Sequence, residues 1–133
     1  MTAPRADLSD VHVVINSYGR APWYVERAIT SVLRQKYPPA SIHFIDQNDA
    51  PLALDPTLRN EPLLRHHHFP DRVGARARNQ ALRLVPSGWI VFADDDAHWV
   101  DDYSEHLLRA LQENPTLQFL AGAVIDEQTR LPY

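Results

Sequence analysis

The chain contains no cysteine, which excludes disulfides and thiolate metal sites. It has no run of basic residues, and its 17 acidic side chains outnumber 13 Lys and Arg for a net charge of −4. A nucleic-acid partner normally needs a basic face, so that class is set aside. No stretch approaches the roughly 18 consecutive apolar residues of a membrane span. Met1 to Asp10 is polar and lacks the apolar core of a signal peptide. No internal repeat or low-complexity tract is visible. On these grounds the chain reads as a soluble, cytoplasmic domain.

What is present fits one ordinary globular unit. The length of 133 residues suits a single domain, and 44% hydrophobic with 23% charged residues argues against general disorder. Residues 1–10 read as a tail and 11–133 as the domain. Four short apolar runs, Val11–Ile15, Ile42–Ile45, Trp89–Ala93 and Phe119–Ile125, are rich in β-branched or aromatic residues. Their length predicts strands rather than helices. Their lack of clean polar alternation predicts a parallel sheet covered on both faces. Leu63–Phe69 reads as a weaker fifth strand.

Helical spacing lies between these runs. Val25, Ala28, Ile29, Val32 and Leu33 form one stripe within Trp23–Lys36, which Tyr37-Pro38-Pro39 should stop. A second helix should follow Gly74, whose glycine eases a tight entry, with Ala77, Ala81, Leu82 and Val85 on one face. It should end at Pro86-Ser87-Gly88. A third, over about Asp102–Glu113, turns Leu107, Leu108 and Leu111 inward, with Asp101 and Asp102 at the positive end of its dipole. The alternation predicts an α/β fold with a doubly wound, mostly parallel sheet. Ala50–Arg72 holds four of the 11 prolines and no firm period, which marks it as the expected mobile stretch.

Ligands of open parallel sheets bind beyond the carboxyl ends of the strands. There the first strand runs into Asn16-Ser17-Tyr18-Gly19-Arg20, the second into Asp46-Gln47-Asn48-Asp49, and Trp89–Ala93 into Asp94-Asp95-Asp96. Three adjacent carboxylates repel one another, and a hard divalent cation relieves that. Residues i and i+2 leaving a strand share a side, so Asp94 and Asp96 are able to face one ligand together. The plainer reading is a solvated acidic turn ahead of a helix. His66-His67-His68 is a poor metal site, because only His66 and His68 share a strand face and no carboxylate neighbour is evident. These histidines are expected to be half-exposed on an edge strand. Trp89 and Trp99 read as core or rim aromatics, with Trp99 close enough to the acidic turn to touch a sugar.

Four segments in order resemble the N-terminal half of family 2 glycosyltransferases of the GT-A fold. They are Val14 to Arg20, Ser31 to Tyr37, Gly74 with Ala77-Arg78-Asn79-Gln80-Ala81-Leu82, and Ile90 to Asp96. The resemblance implies a divalent metal, Mn2+ or Mg2+, with Asp96 as its direct ligand and Asp94 near the ribose or metal; Asp95 ranks third. It implies a nucleotide-diphosphate sugar as donor, held by Ser17, Tyr18, Arg20, Asp46, Gln47, Arg78 and Asp94, with Tyr18 beside the base and Arg78 near it. Arg72 and Arg76 are substitutes for Arg78. The family commonly has two acidic residues where this chain has Asp46 and Gln47. Gln donates as well as accepts, so UDP is the default donor nucleotide and guanosine or thymidine donors stay open.

The resemblance also implies sugar transfer with inversion. The catalytic base is expected beyond residue 133, the acceptor is not identified, and the domain lacks the C-terminal acceptor-binding part. Apolar surface left uncovered would favour self-association. The alternative is a non-catalytic nucleotide-binding or interaction module. A nucleotidyltransferase ranks last, since Asn16–Arg20 has one glycine and no lysine where that class carries a Gly-rich basic loop.

Overall fold

The computed structural model describes residues 5–85 and 87–132. Residues 1–4 of the expected tail, Pro86 of the expected helix stop and the terminal Tyr133 lie outside the described residues. The elements are β1 (Val11–Ser17), α1 (Pro22–Leu33), β2 (Ser41–Asp46), α2 (Pro56–Arg59), β3 (Leu64–His68), α3 (Gly74–Leu84), β4 (Trp89–Ala93) and α4 (Tyr103–Glu113). The strands form one parallel sheet in the order β3-β2-β1-β4. That is the order of the first four strands of a doubly wound fold.

Both faces of the sheet are covered at β1 and β2, which explains their unbroken apolar runs. Val13 and Ile15 of β1 and Ile42 and Phe44 of β2 pack against Val25, Ala28, Ile29 and Val32 of α1. Val14 and Ile45 point the other way, onto Ala77 and Ala81 of α3. Val11 joins Leu107, Leu108 and Leu111 of α4, together with Leu8. In β2 every residue is buried.

The helices depart from expectation in small ways that have local causes. α1 starts with proline in its first turn, where a missing N–H costs nothing. It closes at Leu33 rather than Lys36, and Gln35 then turns inward. The Gln35 amide donates to the Ser31 and Val100 carbonyls and accepts from Ser104 N, tying α1 to the start of α4. In α3, Ala77, Ala81 and Val85 are buried but Leu82 is half exposed, because it lies 100° around the helix from Ala81. Gly74 needs no special conformation, since a Cβ there would only touch Asn16 Nδ2 at 3.5 Å. The demanding glycine is Gly88, with φ +93° and the Asp10 carbonyl 2.3 Å from any added Cβ.

Two larger differences concern the loops. The expected strand Phe119–Ile125 does not form; its residues are exposed, and the one pairing nearby is an isolated bridge from Ile125 to Pro132. Gln118 to Leu120 pass beside β4 without a ladder. A strand needs hydrogen-bonded neighbours and a layer over its apolar side chains, and this segment meets neither. Conversely, the proline-rich stretch after β2 is anchored. Asp55 caps α2 through Thr57 N, Glu26 accepts from Asp55 N, and Leu54 is buried in the α1 core. No helix among the described residues is long and apolar enough to cross a membrane.

Candidate functional site

The strand order reverses between β1 and β4, and the crevice at their carboxyl ends is the expected ligand position. Three loops meet there. Gln47 N donates to Ser17 O at 2.9 Å, Gly19 N donates to Asn48 Oδ1 at 2.9 Å, and Ser17 Oγ donates to Asp95 Oδ2 at 2.6 Å. The β1, β2 and β4 loops are therefore one connected rim.

Within the acidic turn, the three carboxylates are in different surroundings. Asp95 turns inward, with 14% of its side chain exposed, held by Ser17 and by Arg20 Nη2 at 3.4 Å. Asp94 and Asp96 turn outward, at 65% and 49%. Arg20 Nη2 also lies 3.3 Å from Asp96 Oδ2, and Arg78 Nη2 lies 3.8 Å from Asp94 Oδ1. The pairing with Asp95, and then with Asp96, raises the Arg20 pKa further. Arg20 spans from these carboxylates to the Tyr24 ring, 5.5 Å from its guanidinium carbon.

The three candidate arginines separate clearly. Arg78 sits by Asp94 and over the Phe92 ring; Arg76 pairs with Asp71; Arg72 lies over the Tyr18 ring at 5.2 Å and 3.6 Å from Asp49. Tyr18 is 42% exposed, so its ring remains reachable.

The β2 exit is arranged otherwise. Asp46 is completely buried. Its carboxylate accepts from Leu52 N at 2.6 Å, from Asn48 N and Nδ2, and from His66 Nε2 at 2.8 Å. Burial pushes the Asp46 pKa up, but the bonds from Leu52, His66 and Asn48 outweigh it and leave the value below the usual carboxylate range. Gln47, also buried, accepts from Asn16 Nδ2 at 3.1 Å and donates to the Asp71 carbonyl. Both side chains are hydrogen-bonded within the loops of this rim. His66 thus has the carboxylate neighbour that the sequence did not reveal, supplied by the adjacent strand.

His67 faces the opposite side of the sheet. There a ladder runs from His12 Nδ1 to Ser41 Oγ at 2.7 Å, on to His43 Nε2 at 2.9 Å, and from His43 Nδ1 to His67 Nε2 at 3.0 Å. Burial, then the charges of His67, Arg65 and His12, push the His43 pKa down to about 4. Trp99 is core, packed with α1 and tilted against Tyr103 at 4.3 Å. It is not available to a sugar.

Sequence reasoning missed Arg27, whose Nη2 donates to the Asp96 carbonyl at 3.3 Å and whose Nη1 pairs with Glu127. The available signal was helical spacing: Trp23 to Arg27 is i to i+4 and Tyr24 to Arg27 is i to i+3, on one face of α1. As oxygen donors open to solvent, Asp94 and Asp96 fit a hard divalent cation that draws its remaining ligands from water or phosphate. Among the described residues no three His, Cys, Asp or Glu side chains form a complete ligand set.

Comparison with known proteins gives a family and a fold. The sequence model described as Glycosyl transferase family 2 matches residues 12–133. The structure is similar to that of S. aureus TarS 1-349, with a TM-score of 0.60 at 16% identity over 89% of this chain and 40% of that one. It is also similar to the mannosyltransferase PcManGT from Pyrobaculum calidifontis in complex with GDP-Man and Mn2+, with a TM-score of 0.58 at 25% identity over 84% of this chain and 34% of that one. No curated protein sequence matches. The chain therefore spans well under half the length of either structural relative.

Proposed function

Because the chain belongs to glycosyl transferase family 2, we propose that it is the donor-binding part of a glycosyltransferase, taking a nucleoside-diphosphate sugar together with a divalent cation. The observation that carries this reading is the open pair Asp94 and Asp96 at the switch point, flanked by Arg20 and Arg78. The two carboxylates would hold Mn2+ or Mg2+, and the bound ion would neutralise charge building on the leaving diphosphate. Arg78, with its planar fork, is suited to a phosphate or a base carbonyl. Tyr18, backed by Arg72, offers an aromatic face to the base. Ser17 fixes Asp95, and through it the turn.

The base identity rests on the β2 exit. An amide pair, Asn16 with Gln47, lies where a carboxylate would read a base donor. UDP remains the default, and the similarity to a GDP-Man-bound mannosyltransferase makes GDP its main competitor.

Calorimetric titration with UDP, GDP and dTDP, each with and without Mn2+, tests the reading. We expect one nucleotide to bind in the presence of metal and Asp96→Ala to lose that binding. If no nucleotide binds to the folded chain under either condition, the donor-site reading fails.

A further inference from the structure

The acidic turn carries its own cation. Arg20 Nη2 stands 3.4 Å from Asp95 Oδ1 and 3.3 Å from Asp96 Oδ2, so one guanidinium bridges two carboxylates. Arg78 faces the third at 3.8 Å. Two guanidinium groups against three carboxylates leave a single net negative charge, where an unneutralised turn would carry three. An arginine is protonated at any pH that leaves the protein folded. A dication arriving alone therefore meets a fixed positive charge beside Asp96.

Arg20 is also only partly satisfied. Its side chain is 39% exposed, but its Nε is covered and, like that of Arg27, finds no hydrogen-bond partner among the described residues. An unpaired buried donor is costly, and a charged one more so. The carboxylates engage Nη2, and Tyr24 lies 5.5 Å from the guanidinium carbon. What the Nε–H lacks is an acceptor, and a phosphate oxygen is the best match to a guanidinium fork. If such an oxygen takes Arg20, Asp96 is released to a metal. Asp95 does not follow, because Ser17 Oγ holds it independently at 2.6 Å.

From this geometry we propose that Arg20 is the counter-ion of the acidic turn, excluding a bare divalent cation and admitting one that arrives with a diphosphate. The proposal rests on the donor-site reading and adds the residue that couples metal to nucleotide. Such coupling is reciprocal: the factor by which the nucleotide tightens Mn2+ equals the factor by which Mn2+ tightens the nucleotide. Arg20 supplies that factor by exchanging a carboxylate partner for a phosphate one.

Mn2+ binding followed by electron paramagnetic resonance tests it, using the whole chain and the variants Arg20→Ala and Arg20→Lys, with no nucleotide and then with saturating UDP or GDP. Circular dichroism checks that each variant folds. We expect Arg20→Ala to bind Mn2+ alone at least about tenfold more tightly than wild type, a difference of about 1.4 kcal/mol. Its gain in Mn2+ affinity on adding nucleotide should shrink by a similar factor. Arg20→Lys, a charge without the planar fork, should keep bare Mn2+ affinity near wild type while losing part of the nucleotide-linked gain. If wild type binds Mn2+ with nucleotide but Arg20→Ala binds bare Mn2+ no better, the counter-ion role is overturned and the donor site stands. If no form binds Mn2+ under any condition, the donor-site reading itself falls, and the counter-ion role with it.

Discussion

After β2, Asp46 is fully buried and its carboxylate is surrounded by donors from Leu52, Asn48 and His66. After β4, Asp94 and Asp96 stand largely in solvent, and their side-chain partners are arginines from other elements. Both turns leave the same rim of the same sheet, and in the sequence both are aspartates following an apolar run. The difference lies in who satisfies the charge. Backbone N–H groups and a neighbouring histidine cannot be exchanged for a ligand without unmaking the loop. Arginine side chains, half exposed, can. One aspartate is therefore fixed by its own loop, while the other pair stands exposed beside exchangeable side chains.

Asp46→Ala gives the largest expected effect. It leaves the Leu52 and Asn48 N–H groups without their acceptor inside the protein. A loss of about 3–5 kcal/mol is expected, the range for removing one partner of a buried charged network. Urea denaturation reads it as a lower midpoint. Asp96→Ala should move that midpoint by under about 0.5 kcal/mol, as exposed substitutions usually do. If the two variants are equally stable, the contrast between the turns is wrong. In binding the order reverses. Asp96→Ala should weaken metal-dependent nucleotide binding about 100-fold, or about 2.7 kcal/mol, by calorimetry. A loss below about fivefold would make the outer carboxylates bystanders.

Much of this arrangement was legible before any coordinates. Three apolar runs became β1, β2 and β4 and a weaker one became β3, because a two-faced parallel sheet demands unbroken hydrophobicity. Asp94 and Asp96 are both exposed, one beside Arg78 and the other beside Arg20. The run Phe119–Ile125 has the same composition but no neighbour to pair with, and composition does not report neighbours. The burial of Asp46 depends on a loop that returns six residues later and a histidine 20 residues on. Likewise Arg20 meets Asp95 across the sheet, a contact that follows from strand order and not from local pattern.

Acidification sharpens the comparison with a third polar cluster, the ladder of His12, Ser41, His43 and His67. It resembles Asp46 in being internally paired, but its central member, His43, is a buried base whose pKa burial pushes down. The unfolded chain takes up a proton on His43 near pH 6.5, while the folded chain does so only near 4. Within that interval the unfolded state binds more protons, so stability is full above about pH 6.5 and falls as pH drops toward 4. His67, lowered mainly by burial and then by Arg65 and His66, acts in the same direction. The loss should be on the order of 3 kcal/mol across the interval. His43→Gln should flatten most of the dependence of the urea midpoint on pH. An unchanged pH profile in that variant would remove the ladder from the account.

The smallest effect concerns Asp95, which belongs partly to each kind of turn. It points inward, as Asp46 does, yet one of its two partners is the exchangeable Arg20. Ser17→Ala removes the other, a short hydrogen bond to a charged acceptor, at a cost of about 1.5 kcal/mol. That is below the Asp46→Ala loss because Arg20 still covers the carboxylate. Metal-dependent nucleotide binding should weaken only about threefold, or about 0.65 kcal/mol, since Asp94 and Asp96 keep their own positions. A loss confined to stability would class Asp95 with Asp46 as scaffold. A loss confined to binding would class it with its neighbours.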